Sequence, residues 1–257
     1  MMKLEITKES SMEDIEMFCK AHNGGKKVPH SIIADIYNIF HNDGIIKYDS
    51  ELYRVFSHDD THLSFFMGFD LRTQYIQQFG FLGLCDKMLD KLAEAIKRIT
   101  YKEHPVVLEI GAGHGYLSKH LMERGIKCIP NEYKLDNNTY FKNMEPILAK
   151  EIYNTMSGVE AVKTCDYDLV LSSWAPYEDS LLHDVLVAMN ERDKEEYEHR
   201  PLLAFTEGEC GCIADDSFFD IAEEMPSEYI DDINGCHFNW YGIHDRLRLY
   251  KYKRKDF

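Results

Sequence analysis

Residues 106–117 constrain this chain more than any other stretch. Val106-Val-Leu-Glu-Ile110 is an apolar run of strand length, and Gly111-Ala-Gly-His-Gly115 is a turn with glycine at every second position. Helical spacing follows over Tyr116–Arg124. Strand, glycine turn and helix in that order open a layered α/β fold whose backbone comes close to a nucleotide-like ligand at the turn. The spacing also discriminates among such ligands. The dinucleotide fingerprint G-x-G-x-x-G needs glycine where Tyr116 stands, and the Walker loop needs a Gly-Lys-Ser/Thr that does not follow.

The same rhythm continues downstream. Gly125 ends the helix, and Ile126-Lys-Cys-Ile-Pro130 reads as a second strand. Residues 139–154 are helix-like, Val159–Val162 suits a third strand, and Asp168-Leu-Val-Leu-Ser172 a fourth. A helix over Ser180–Glu191, a fifth strand at Leu202–Thr206 and a helix over Asp216–Glu224 follow. His237–Tyr241 and Arg246–Tyr252 close the chain as two strands, joined too tightly for a helical crossover. The expectation is an α/β fold: a seven-stranded Rossmann-like doubly wound sheet with five parallel strands and an antiparallel C-terminal hairpin. The first 103 residues read differently. Helical spacing covers 10–22, 30–41 (stopped by Asn42-Asp43-Gly44) and 72–99, with no convincing strand. They are expected to form a helical N-terminal extension or lid, 1–103, ahead of a ligand-binding domain, 104–257. Tyr75 and Gln78 are candidates for closing the pocket, against a core role for aromatics at that spacing.

Charge narrows the partners. The net charge of −16 argues against a general nucleic-acid binder, which needs a basic surface to neutralise phosphates. Residues 245–257 hold six Lys/Arg against two Asp, so the rest of the chain carries −20. That basic end reads as a solvated strand terminus in preference to a contact for an acidic partner. There is no run of apolar residues long enough to span a membrane, and the charged start Met1-Met-Lys-Leu-Glu-Ile-Thr-Lys-Glu9 lacks the apolar segment of a signal peptide. Seven scattered cysteines suit reduced thiols, so a cytoplasmic location without membrane contact is expected.

Glu132 falls soon after the second strand, where this fold class places an acid on a ribose hydroxyl pair; a 2′-phosphate would be repelled there. With Glu109 ahead of the turn and Glu132 beyond it, the sequence resembles the class I S-adenosylmethionine-dependent methyltransferases over roughly residues 104–253. Glu109-Ile-Gly-Ala-Gly-His-Gly115 is similar to their first motif, and Asp168-Leu-Val-Leu-Ser-Ser-Trp-Ala-Pro-Tyr177 to the strand and loop of their fourth. The resemblance implies S-adenosyl-L-methionine as cofactor. Glu109, Gly111, Ala112, Gly113 and Gly115 would lie along its methionine portion, and Glu132 and Tyr133 along its ribose. The segment around Thr164, Cys165 and Asp166 would lie near the adenine, with Asp166 as the nearby substitute for the acid usual there. Ser173 and Trp174 would border the reacting end. A narrower likeness runs to a methyltransferase-like group with a Trp-Pro-Pro-Tyr loop. Trp174-Ala-Pro-Tyr177 and Glu207-Gly-Glu-Cys-Gly-Cys-Ile-Ala-Asp215 carry it, with Ala175 and Ile213 departing from the pattern.

Methyl transfer needs an acceptor held close to the donor, and a base when the acceptor has a proton to lose. Tyr177, Glu178 and Glu207 are the candidate catalytic residues, on the two loops past the fourth and fifth strands. Trp174 stands where amino-directed nucleic-acid enzymes place Asn or Asp, which weakens that reading. Glu209 is a further acid on the second loop, and His114 lies inside the glycine turn. His58 and His62, and Cys210 with Cys212 and Cys236, lack the remaining ligands of a zinc site, so no metal is expected. The leading expectation is a methyltransferase acting on an unidentified small-molecule or protein acceptor, with a protein partner for the N-terminal extension. The alternatives are a non-catalytic S-adenosylmethionine-binding sensor or interaction subunit, and a nucleic-acid methyltransferase.

Overall fold

The computed structural model describes residues 5–57, 63–133, 146–196, 199–208 and 211–253. His58, His62, Glu209 and Cys210 lie outside them, as do residues 254–257 of the basic tail. The chain divides into two compact units, residues 1–88 with 236–244, and residues 89–235 with 245–257.

The first unit is helical. It holds α1 (Met12–His22), α2 (His30–His41), α3 (Glu51–Ser57) and α4 (Phe65–Phe79), and the start of α5 (Asp86–Thr100). The apolar stripe of α2, Ile32, Ile33, Ile36, Ile39 and Phe40, is buried. The helical pattern over 72–99 is broken in two, because Gly80 adopts φ +103 at the end of α4. Tyr75 takes the core role: it is wholly buried, donates to the Gly44 carbonyl at 2.9 Å and accepts from the Leu84 amide at 3.1 Å. Gln78 is engaged in the same unit, donating to the Ile6 carbonyl.

The second unit is a Rossmann-like doubly wound α/β structure. Strands β1 (Val106–Ile110), β2 (Lys127–Asn131), β3 (Leu169–Ser173) and β4 (Leu202–Thr206) run parallel. β6 (Arg246–Tyr252) is inserted antiparallel between β4 and β5 (Ala222–Met225), for the order β2-β1-β3-β4-β6-β5. Leu108 and Ile110 of β1 pack with Val170, Leu202 and Ala204 among the residues of α7 (Gly158–Thr164) and α8 (Leu181–Glu196). Side chains alternate along a strand, so Glu109 points to the other face, where it meets α6 (Tyr116–Met122). From β1 the chain moves out to β2 and then back across to β3, so strand order reverses between β1 and β3. The carboxyl ends there are where such sheets bind ligands.

Among the described residues the sheet has six strands. Val159–Val162 is helix, not a third strand. The Ser157 hydroxyl accepts the Glu160 amide, and the Glu160 carboxylate takes the Ser157 amide, a reciprocal cap that starts α7 at Gly158. The place of that strand is reduced to a parallel bridge between Asn131 and Asn154. His237–Tyr241 is not a strand either; Phe238 and Trp240 are buried in the first unit, their rings 4.9 Å apart. The antiparallel partners of β6 are β4 and β5; β5 follows α9 (Asp216–Ile221) and is joined to β6 through α10 (Glu228–Asn234), not by a tight connection.

Candidate functional site

The glycine turn leaves β1 through left-handed backbone at Gly111, Gly113 and Gly115 (φ +72, +54 and +80). Four of its amides, those of Gly111, Ala112, Gly113 and Gly115, are already engaged. Gly111 and Ala112 both donate to the Asn131 carbonyl at 3.0 Å, and Gly115 donates to Ala112 at 2.8 Å. Gly113 donates to the Glu132 carboxylate at 2.7 Å. The glycines serve different ends. Among the described residues a Cβ on Gly111 would meet nothing within 4 Å, so that glycine answers to its φ and leaves an open face. A Cβ on Gly115 would collide with the Tyr153 hydroxyl and stand 3.2 Å from a Leu148 methyl carbon.

Two buried acids flank the turn. Glu132 is 9% exposed, and its backbone amide is anchored to the Asn154 carbonyl at 3.0 Å. Glu109 is 1% exposed and accepts from the Ser118 hydroxyl. Burial, and to a lesser degree the charge of Glu132, push its carboxyl up to about 7. Tyr133, next to Glu132, is exposed.

Sequence reasoning missed the outer wall of this site. The Asn131 amide donates to the Met156 carbonyl at 2.9 Å and to the Asn154 carbonyl at 3.1 Å, which ties residues 154–156 to the end of β2. Tyr153 precedes them and packs against the turn. The Ser157-x-x-Glu160 cap was the available signal: with a helix starting at 158, the edge residue has to precede it.

Asp166 is not brought to this site. It is exposed in the turn between α7 and β3, beside Asp168, which accepts the Val106 amide at 2.8 Å. That is the amino end of the sheet, opposite the glycine turn, because α7 delivers the chain to the start of β3.

Ser173 ends β3, whose register sets Ser172 beside Ile110 and so places Ser173 next to the glycine turn. Trp174 follows with φ +57. Its indole N–H donates to Asp245 at 2.7 Å and its ring packs on the sheet core, which favours packing over a cover for a ligand. Tyr177 is 60% exposed and bridges to Ala214, while the Glu178 amide donates to the Ala214 carbonyl at 3.0 Å. These contacts join the loops past β3 and β4 into one rim. Glu178 and Ala214 also have positive φ (+56 and +61), so three of the five described non-glycine residues of that kind lie in this rim. Such strain collects at functional loops. Glu178 holds the exposed Tyr177 hydroxyl above the usual phenol range. Glu207 turns back to accept the Cys212 amide at 2.9 Å and so shapes its own loop.

No protein-family profile and no curated protein sequence matches this chain. Solved structures similar to it include a precorrin-6y C5,15-methyltransferase from Geobacter metallireducens, at 11% identity over 65% of this chain and 87% of that one, with a TM-score of 0.38. A SAM-dependent methyltransferase from Archaeoglobus fulgidus is 11% identical over 64% and 94%, with a TM-score of 0.33. Human N-acetylserotonin methyltransferase, in complex with SAM, is 8% identical over 86% and 66%, with a TM-score of 0.39. At such identities and scores these likenesses transfer no ligand, acceptor or residue role to this chain.

Proposed function

We propose that this chain binds S-adenosylmethionine and transfers its methyl group to an acceptor held at the rim past β3 and β4. The observation that carries the reading is the Glu132 carboxylate on the Gly113 amide. A phosphate-binding turn offers free amides and a positive field to its ligand. Here a carbonyl and a carboxylate occupy those amides, and a second acid, Glu109, is buried alongside. This site repels phosphate and suits a nucleoside that presents hydroxyl and ammonium donors. When bound, S-adenosylmethionine supplies a methyl group on a positively charged sulfur. Glu132 would hold the ribose hydroxyls, and the open face at Gly111 with Ala112 and Gly113 would line the amino-acid end.

On the acceptor side, Tyr177 and Glu178 are exposed at the rim, and Glu178 is the group we assign to take a proton from the acceptor. Glu207 positions its loop through Cys212. The net charge of −16 favours a small-molecule or protein acceptor over nucleic acid. Exposed Phe65, Phe66 and Phe69 on α4 support a protein partner for the N-terminal extension. The six described cysteines are free thiols, which supports a cytoplasmic setting. A second reading, cofactor binding without transfer, is favoured by Trp174, whose indole N–H is engaged by Asp245 and not by the rim.

Calorimetric titration of the full chain with S-adenosylmethionine and S-adenosylhomocysteine tests the reading. Binding is expected, with a Glu132→Ala variant at least roughly tenfold weaker through loss of charge-assisted hydrogen bonds. Absence of binding to either compound overturns it. Formation of S-adenosylhomocysteine from fractionated lysate supplied with the methyl donor separates transfer from binding alone.

A further inference from the structure

Tyr153 stands at the outer edge of the sheet, one residue before the Asn154 bridge. Its ring is 8% exposed, and its hydroxyl lies against Gly115, which has no room for a side chain there. That hydroxyl is closed to solvent and, among the described residues, meets no partner with hydrogen-bond geometry; the Leu148 amide lies near its oxygen, and no acceptor there takes its proton. Burial, followed by the charges of Glu109 and Glu132, raises the phenol far above its usual range, so it stays a neutral donor at any ordinary pH. A buried donor without an acceptor is rare enough in a folded protein to require a reason.

Phenylalanine would fill the same space without that penalty, so the ring's packing does not explain the hydroxyl. We propose that the Tyr153 hydroxyl is a ligand-binding group, donating to the carboxylate at the amino-acid end of S-adenosylmethionine bound at the glycine turn. This rests on the reading above. The two acids flanking the turn suit the donors of that ligand and repel its carboxylate. The amides of Gly111, Ala112, Gly113 and Gly115 already have acceptors. A ligand carboxylate beside this turn needs a neutral donor, and Tyr153 holds one whose proton no atom of the described residues accepts. The contact forms as the chain around Leu148 gives way, since the hydroxyl is covered beforehand.

The test crosses two proteins with two ligands. Wild type and Tyr153→Phe are titrated with S-adenosylmethionine and with its decarboxylated analogue, and the unfolding temperature of each protein is measured. The variant should unfold no lower than wild type, because it loses an unsatisfied buried hydroxyl. It should bind S-adenosylmethionine roughly tenfold more weakly, and the analogue with wild-type affinity. Equal weakening toward both ligands, or undiminished binding of S-adenosylmethionine, overturns the assignment and leaves the cofactor reading standing. Failure of the wild type to bind either ligand removes the cofactor reading and this assignment with it.

Discussion

Glu109 lies in β1 with 1% of its surface exposed, and its carboxyl meets the Ser118 hydroxyl, not a cation. Burial therefore decides its ionisation, lifting it from 4.5 to about 7. Between those values the folded chain keeps a proton that the unfolded chain has released, so stability falls as pH rises. The contribution is complete below about pH 4.5 and lost once pH passes about 7, a swing of about 3 kcal/mol for a shift of this size. Glu109→Gln keeps a carbonyl for Ser118 and removes the titration. Relative to wild type, the variant should gain stability from pH 4.5 to about pH 7 and hold that gain to pH 8. Urea unfolding of both proteins across that range reads the difference directly, and parallel stability curves would sink the argument.

The elements show which patterns in a sequence carry structure. β1, β4, β6 and α2 have the bounds their apolar runs imply, because each is an interior strand or an amphipathic helix. Val159–Val162 misleads because apolar residues at 159, 161 and 162 fit both periods, and the polar cap at Ser157 and Glu160 decides for the helix. β5 reads as a helix end because Ala222-Glu-Glu-Met225 is a charged edge strand with no alternating apolar face. The acids of the site, Glu109 and Glu132, are legible from their offsets to the glycine turn. Tyr153 and Asn154 are not, since a single bridged residue leaves no periodicity. Other joints between elements are equally silent. Asp193 of α8 and Arg200 form an ion pair at 2.8 Å, each side chain 8% exposed, and Arg200 also donates to the Tyr167 carbonyl at 3.0 Å ahead of β3. Removing the guanidinium leaves a buried carboxylate uncompensated, at a cost of about 3–5 kcal/mol. Arg200→Ala should lower the urea midpoint accordingly. A loss below about 1 kcal/mol would mean the pair is hydrated in solution.

At the scale of the whole molecule, the chain visits its first unit twice, through residues 1–88 and again through 236–244. The return segment contributes Phe238 and Trp240, 1% and 3% exposed. Phe238 lies 5.2 Å from the Phe56 ring, Trp240 lies 5.1 Å from Tyr75, and a Cβ on Gly83 would stand 2.7 Å from the Phe238 ring. A cut after Met88 therefore does not yield two foldable pieces. Losing a buried aromatic from a core costs about 3–5 kcal/mol, and losing two rivals the 5–15 kcal/mol that holds a typical domain together. Residues 1–88 alone should retain helical circular dichroism but melt without a sharp transition, whereas the full chain melts cooperatively. Residues 89–257 alone would present Phe238 and Trp240 without the rings they pack among and should self-associate. A cooperative melt of the 1–88 fragment would show that its helices close a core of their own, and the return segment would then be ornament rather than structure.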